Sequence, residues 1–502
     1  MKKRIKTLIC GICLICCLGM LAGCGENNVS PAATPGPTNT AAGASPSEQA
    51  ASQYLRPRDE NLKNAIKEGE TYRYFVWTTN DPANPFELEA EGSRDFLIKR
   101  RSEYESKYGI TIEYVQTASD WAFSFAAAAY SGAPMADIFN AGGPFNVISH
   151  YNYEGNPGSI LEPLSQYSEY ADFNDSEWFD TQSQKITTFN GQLYFAVPNI
   201  VGIDSVGFNQ AVFFNKALLA DKGYEDSDIY EMYREGTWNW EKFKEIAVRC
   251  TDLDNGVYGI HSGEGNSLMW GLMPSNDSYI LSSAADSETG ESYYQFSGDS
   301  ANALETWDFF LELGRQNVLT TELLEDVAFR GGNVAMMSTY INRAAKITNY
   351  RQYPQFGIVP VPKGPKADEY VSSCNWFVPL CVFKGTANPA GSVQVLSEYC
   401  APRYAKSSQE AQADFETGAM KIVCDTQSVE VLRSIPEISI TEPYILYWNT
   451  PTFVADGTES GLYSLYNLHN EAFIQGSTTP AVLFSSVKEA LNQALKDVQI
   501  ND

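Results

Sequence analysis

The sequence predicts an α/β fold with mainly parallel sheets, and three observations carry that prediction. The part of the chain after residue 70 opens as β-α-β-α-β. Strand-like and helix-like segments go on alternating through the middle of the chain. About 440 residues follow a polar N-terminal stretch, which suits two large lobes better than one core.

Each opening element has its own signal. Residues 71–77 (Thr-Tyr-Arg-Tyr-Phe-Val-Trp) are rich in strand formers. Residues 94–108 read as an amphipathic helix ended by Gly109. Residues 110–115 (Ile-Thr-Ile-Glu-Tyr-Val) alternate faces as a second strand. A helix over 121–130 ends near Gly132, and a third strand over 136–139 leads into the turn Ala-Gly-Gly-Pro at 141–144. This is one half of a doubly wound sheet, and such sheets bind ligands beyond the carboxyl ends of their strands. The rule points at 77–80, 119–121 and 140–145. Further on, residues 189–198 (Phe-Asn-Gly-Gln-Leu-Tyr-Phe-Ala-Val-Pro) read as a turn, a strand and a stop. A strand over 206–214 ends in Phe214-Asn215-Lys216. Gly236-Thr-Trp-Asn-Trp-Glu-Lys-Phe243 opens a helix that Thr237 can cap, with an aromatic staple to follow.

The N-terminus has a separate purpose. Lys2, Lys3, Arg4 and Lys6 precede an uncharged apolar run over 8–22, the pattern of a secretory signal. The run is short for a membrane span, which needs about 20 apolar residues. Leu21-Ala22-Gly23-Cys24 resembles a bacterial lipobox, in which the cysteine is cut free and lipidated. That resemblance implies a signal peptide over 1–23 and a lipoprotein held on the outer face of the cell membrane by acyl chains such as palmitate on Cys24. Two or more chains are needed for stable anchoring. Residues 24–64 read as a disordered tether, small, polar and proline-bearing at first.

The whole chain carries −27. Removing the four cations of the signal takes it to −31, which argues against nucleic acid and against adhesion to anionic lipid. Five of the ten cysteines lie at or before position 24. The other five, Cys250, Cys374, Cys381, Cys400 and Cys424, are odd in number and cannot all pair within the chain. Most read as buried thiols, and whether any pair is oxidised stays open.

Signals for catalysis are weak. His150, His261 and His469 show no metal-binding spacing, and no nucleophile elbow, phosphate loop or dinucleotide fingerprint is present. Asp252-Leu-Asp254-Asn-Gly256 imitates the start of a calcium loop but has Val257 at position 6 and Gly263 at position 12, so it reads as a surface turn. No cofactor, metal or enzymatic activity is expected, though abundant carboxylates leave a glycosidase pair possible.

Six segments, in order, resemble family 1 extracellular solute-binding proteins of ABC importers, the group that includes maltose-binding protein. They are Gly191 to Pro198, Phe214 to Lys216, Thr237 to Phe243, Arg330 to Met337 (Arg-Gly-Gly-Asn-Val-Ala-Met-Met), Phe356 to Gly364 (Phe-Gly-Ile-Val-Pro-Val-Pro-Lys-Gly), and the Ala-Leu-rich helix over 478–497. Phe214 stands where the family has tyrosine, and Arg330-Gly331-Gly332 where it has Gly-Lys. The likeness spans roughly residues 70–500. It implies a two-lobed periplasmic-binding-protein-like fold of the class II type, with about three crossovers and hinge closure on ligand. Lobe one would take 65–205 plus 356–405, and lobe two 206–355 plus 406–502.

The family resemblance implies a substrate-binding lipoprotein that delivers a small-molecule solute to ABC permease subunits, as a monomer. Aromatic residues make up 13% of the chain, with nine tryptophans. Aromatic faces suit the C–H faces of sugar rings, and Asp, Asn, Glu and Arg suit their hydroxyl rims, so an oligosaccharide is the expected solute. Trp77, Asp120 and Trp121 fall at predicted strand ends of lobe one. By the resemblance, Trp270 faces the cleft from lobe two, Tyr340 and Asn342 follow the Ala-Met strand, Trp376 follows the last crossover into lobe one, and Tyr463 lies in the late helical region. Two alternatives stay open: a glycosidase on the same tether, and a binding component that signals to a membrane sensor.

Overall fold

The computed structural model describes residues 53–75, 85–86, 91–116, 121–263, 266–287, 290, 292–321, 324–350, 353–448, 453–455, 458–467 and 470–499. The signal, Cys24 and the expected tether up to residue 52 lie outside them. Its last part, 53–64, is not a free tether but packs on the first lobe, where Arg56 is buried against Asp175 (2.8 Å) and Arg100 donates to the Tyr54 carbonyl (2.9 Å). β1 (Thr71–Phe75), α1 (Glu91–Tyr108), β2 (Thr111–Val115), α2 (Trp121–Tyr130) and β3 (Ile138–Asn140) alternate as the sequence predicts. β4 (Gln210–Asn215), α3 (Trp240–Cys250), β5 (Tyr258–His261), α4 (Ser267–Ser275), α5 (Ala301–Arg315), β6 (Leu319–Thr320), β7 (Val334–Tyr340) and β8 (Phe356–Pro360) follow. β9 (Ser372–Ser373), β10 (Leu380–Val382), α6 (Pro389–Tyr399), α7 (Thr426–Ile438), β11 (Ser439–Ile440) and α8 (Pro480–Asp497) complete the frame.

Two sheets give the molecule its two lobes. The first runs β10-β3-β1-β2. β1 is parallel to β2 and β3, and β10 is antiparallel to β3. The second runs β6-β5-β7-β4-β8. β5 is parallel to β6 and β7, whereas β4 is antiparallel to both β7 and β8. The expected mainly parallel pairing therefore holds for the first sheet and only partly for the second. The reason is where the chain enters. β4 begins beside the end of β7, with Gln210 opposite Tyr340, so it must run back through the sheet.

Local sequence explains most element ends. Asn190 (φ 48°) and Gly191 (φ 71°) turn the hairpin between Thr188–Phe189 and Gln192–Leu193. Two positive φ angles in a row are what a two-residue hairpin turn requires. α3 is capped by Asn239, whose side chain accepts from the Lys242 N–H (3.0 Å). Thr237, the expected cap, instead donates its hydroxyl to the Met232 carbonyl (3.3 Å). The helix starts two residues later than the sequence suggests because Trp238 and Trp240 must both be buried. The expected strand over 206–214 begins only at Gln210, since Gly202–Val206 forms a 3₁₀ turn. Asp252 accepts from Asn255 within a tight turn closed by Gly256, the surface turn that its sequence suggests.

Three chain crossings meet between the sheets. β9 and β11 pair in parallel, Ser372 with Ser439 and Ser373 with Ile440. Asn209 bridges to Cys374. The buried Asn209 amide then ties all three together, donating to the Ser372 carbonyl and hydroxyl (3.2 Å each) and to the Ser439 hydroxyl (2.8 Å). One expected boundary moves. A division at residue 356 would put β8 in lobe one, but β8 pairs with β4 along its whole length in the second sheet. The chain leaves that sheet after Pro360, because the five residues of β8 are buried there. All five described cysteines are free. Burial pushes the thiols of Cys250 and Cys374 up to about 11 and that of Cys400 up to about 12, so they are protonated and inert at neutral pH.

Candidate functional site

The carboxyl edges of the two sheets face one another across the crossings. β10 enters the first sheet beside the end of β3, and Ala141 N–H donates to the Pro379 carbonyl (3.0 Å). In the second sheet β5 and β7 end at this edge and β4 starts from it. The turn after β7 is held to the first crossing by Ile341 N–H on the Asn209 carbonyl (3.0 Å) and Asn342 N–H on the Gly207 carbonyl (2.8 Å).

Asn375 stands at the centre of this region and is only 6% exposed. Its amide oxygen accepts from the Ser373 hydroxyl and the Tyr444 hydroxyl, each at 2.9 Å. Its amide nitrogen donates to the Tyr340 hydroxyl (3.3 Å). Tyr340 therefore acts as an acceptor toward Asn375 and keeps its own proton for another partner. Burial raises the Tyr340 phenol above its ordinary value, with Asn375 and Gln210 pulling the other way, so it stays neutral.

Two groups of rings flank this amide. In one, Trp376 stacks on Phe208 (5.3 Å between centroids, 23° between planes) and leans on Phe145 (5.7 Å, 55°). All three rings are half-buried. Gly143 makes room for them, since a Cβ there would sit 2.8 Å from both Phe145 and Trp376. In the other group Trp270 stacks on Tyr444 (4.8 Å, 14°) and Trp448 stacks on Tyr463 (4.8 Å, 27°). Trp270 and Trp448 meet at 5.8 Å. Among the described residues no charged side chain takes part in the hydrogen bonds around Asn375.

The expected site residues divide accordingly. Tyr340, Asn342, Trp376 and Tyr463 lie half-buried in this region. Trp270 does not line it: the indole is 1% exposed, packed under Tyr444 and against Tyr466. Its place on α4, a helix buried at every residue, gives it a supporting role. Trp121 opens α2 at the carboxyl edge of the first sheet, and its side chain lies outside the described residues. Trp77 and Asp120 lie outside them altogether. Sequence reasoning pointed at the stretch 140–145 that ends in Phe145, but missed Asn375, Phe208, Tyr444 and Trp448. Asn375 could have been found as the polar neighbour of Trp376. The others carry no local signal, because their meeting depends on the crossings. Among the described residues no cluster of His, Cys, Asp and Glu could hold a metal ion.

Two α/β lobes joined by three crossings, with facing sheet edges and an aromatic site near the join, define a two-lobed binding-protein fold. The chain belongs to the bacterial extracellular solute-binding protein family, whose model matches residues 99–415. A search of curated protein sequences finds no match. Among solved structures, the sugar-binding protein MalE from Xanthomonas citri is similar at 14% identity and a TM-score of 0.57, covering 85% of this chain and 97% of its own. The ABC substrate-binding protein Lmo0181 from Listeria monocytogenes, in complex with cycloalternan, is similar at 13% identity and 0.53, covering 85% and 99%. UgpB from Mycobacterium tuberculosis, in complex with glycerophosphocholine, gives 14% and 0.54, covering 85% and 98%. At these identities the likeness shows the fold. No described helix is long and apolar enough to cross a membrane.

Proposed function

We propose that the chain is the lipid-anchored binding component of an ABC importer and that its solute is a neutral oligosaccharide. One observation carries the solute class: a cluster of aromatic rings and amides where the two sheet edges meet, whose described hydrogen bonds around Asn375 are all between neutral groups. Half-buried rings such as Trp376, Phe208 and Tyr463 offer faces for sugar C–H groups. Asn375, Asn342 and the Tyr340 hydroxyl offer neutral hydrogen bonds for the rim. An anionic or cationic solute would need a fixed countercharge, and among the described residues none joins the hydrogen bonds of this cluster. The sugar-binding MalE and the cycloalternan complex of Lmo0181 share the fold and support the same reading.

In this reading lobe one takes 65–205 and the stretch around β10 and α6. Lobe two takes 206–360 and 406–502, and closure about Asn209 brings the edges together. The chain binds its solute and does not turn it over. It works as a monomer on the extracellular face of the membrane, with lipid on Cys24 and the tether keeping it near the permease subunits.

A thermal-shift panel tests the solute class. A ligand at about 100 times its Kd adds about 2.7 kcal/mol to stability. Neutral oligosaccharides, malto-oligosaccharides first, are expected to raise Tm, with peptides and glycerophosphodiesters inert. If no sugar shifts Tm, the oligosaccharide reading is wrong. Cys24→Ala is expected to release the protein from membranes without changing binding.

A further inference from the structure

β7 ends at Tyr340 in the site just described, and two residues earlier, on the same face of the strand, stands Ser338. β5 runs beside β7 with Met336 opposite Ile260 and Met337 opposite His261. One step further brings Ser338 beside Ser262. A Cβ on Gly263 would lie 2.0 Å from the Ser338 carbonyl oxygen and 2.7 Å from Ser267 Cβ, so the two strand ends and the first turn of α4 close on one another.

The side chains gathered there are buried and unsatisfied. Ser262 and Ser338 are fully buried and Asn266 is 7% exposed. Among the described residues Ser262 Oγ, Ser338 Oγ and both amide atoms of Asn266 make no hydrogen bond, and neither does Oε1 of Gln210. The amide nitrogen of Gln210 donates to Ser267 Oγ (3.3 Å), which draws Gln210 toward the same place. Asn266 is the N-cap residue of α4, where an asparagine ordinarily accepts a first-turn N–H, yet its side chain makes no capping bond. The Ser262 carbonyl accepts the Leu268 N–H instead (2.7 Å), and the Asn266 amide is left free for another partner.

Buried polar atoms without partners are rare in native proteins, and five at one sheet edge call for partners beyond the described residues. All five are neutral, and together they can both donate and accept. A hydroxyl group has the same dual capacity. We infer that Ser262, Asn266 and Ser338, at the amino end of α4, form a polar subsite that takes hydroxyl groups of a neutral polyol or sugar. The inference rests on the interlobe region being the solute site and extends it one strand into lobe two.

Glycerol is the first probe, since it is small enough to enter whatever the natural solute. A crystal structure of the protein soaked in glycerol is expected to place hydroxyl oxygens within hydrogen-bond distance of Ser338 Oγ and the Asn266 amide. Side chains that pair with one another, or a site holding water alone, would overturn the subsite. The second measurement is calorimetric titration with maltotriose. Ser338→Ala and Asn266→Gly, the latter keeping the positive φ of 62°, are each expected to weaken binding about ten-fold, the loss of one neutral hydrogen bond. Unchanged affinity in both variants refutes the subsite and leaves the wider reading standing. If wild-type protein does not bind maltotriose, that counts against the oligosaccharide reading, and the glycerol structure alone decides the subsite.

Discussion

The two ring groups beside Asn375 are built from the same residue types and differ in depth. Phe145, Trp376 and Phe208 are each half-buried, on loops beside the crossings. Trp270 and Tyr444 are fully buried, and only Trp448 and Tyr463 above them reach the surface. Layering separates their work. A ring with one face free can meet a solute, whereas a ring covered on both faces can only hold its neighbours in place. The first group is a wall of half-buried rings, and the second is a buried foundation with a thin wall on top.

Truncating the foundation should cost most. Trp270→Ala removes a buried indole stacked on Tyr444 and is expected to lower stability by about 3–5 kcal/mol in denaturant unfolding. Trp376→Ala should cost far less, and equal losses would break the contrast.

The next effect lies behind the same foundation. Glu442 starts the segment that carries Tyr444 and Trp448, and it is 3% exposed. Burial pushes its carboxyl up to about 8, offset in part by the Ile280 N–H. Tyr279, Tyr444 and Tyr466 feel its charge. The unfolded chain releases this proton near 4.5, so between about 4.5 and 8 the folded state holds more protons. Stability therefore falls as pH rises through that window and levels off above it. Glu442→Gln is expected to flatten this slope and to stabilise the protein at pH 8 by on the order of a few kcal/mol. Melting curves from pH 5 to pH 8.5 check it, and an unchanged slope would show that Glu442 ionises normally.

Asn375→Ala strips the acceptor from Ser373 and Tyr444 and the donor from Tyr340. A cost of about 1–3 kcal/mol is expected, with weaker solute binding as well, because this amide joins the two ring groups. The smallest effect on stability and the clearest on function belongs to Trp376→Ala. It should reduce oligosaccharide affinity about ten-fold, the order of one aromatic contact, with Tm nearly unchanged. Calorimetry beside a melting curve separates the two. A large loss of Tm would mean that Trp376 belongs to the foundation after all.

Much of the frame was legible in advance. β1, α1, β2, α2 and β3 follow the periodicity of residues 71–139 within a few positions, because each element packs one face and the pattern repeats at 2 or 3.6 residues. The Asn190-Gly191 turn was equally plain, since few other pairs take two positive φ angles. The misses have physical causes. Thr237 and Asn239 both suit a cap, and burial of Trp238 and Trp240 chose between them. The direction of β4 depended on where the chain crosses from lobe one, which leaves no mark on its own residues.

The same division runs through the site. The sequence by itself determined the alternating elements, the aromatic supply and the family, because these are local patterns and ordered motifs. It could nominate Tyr340, Asn342, Trp376 and Tyr463 by position. Only the tertiary structure decided that Trp270 is covered, that Asn375 holds the centre and that Phe208 lies under Trp376. Those facts depend on three crossings of the chain, at Asn209, Ser372 and Ser439, that bring distant segments to one place. Burial and contact between such segments are set by how the lobes pack, and no window of sequence contains that information.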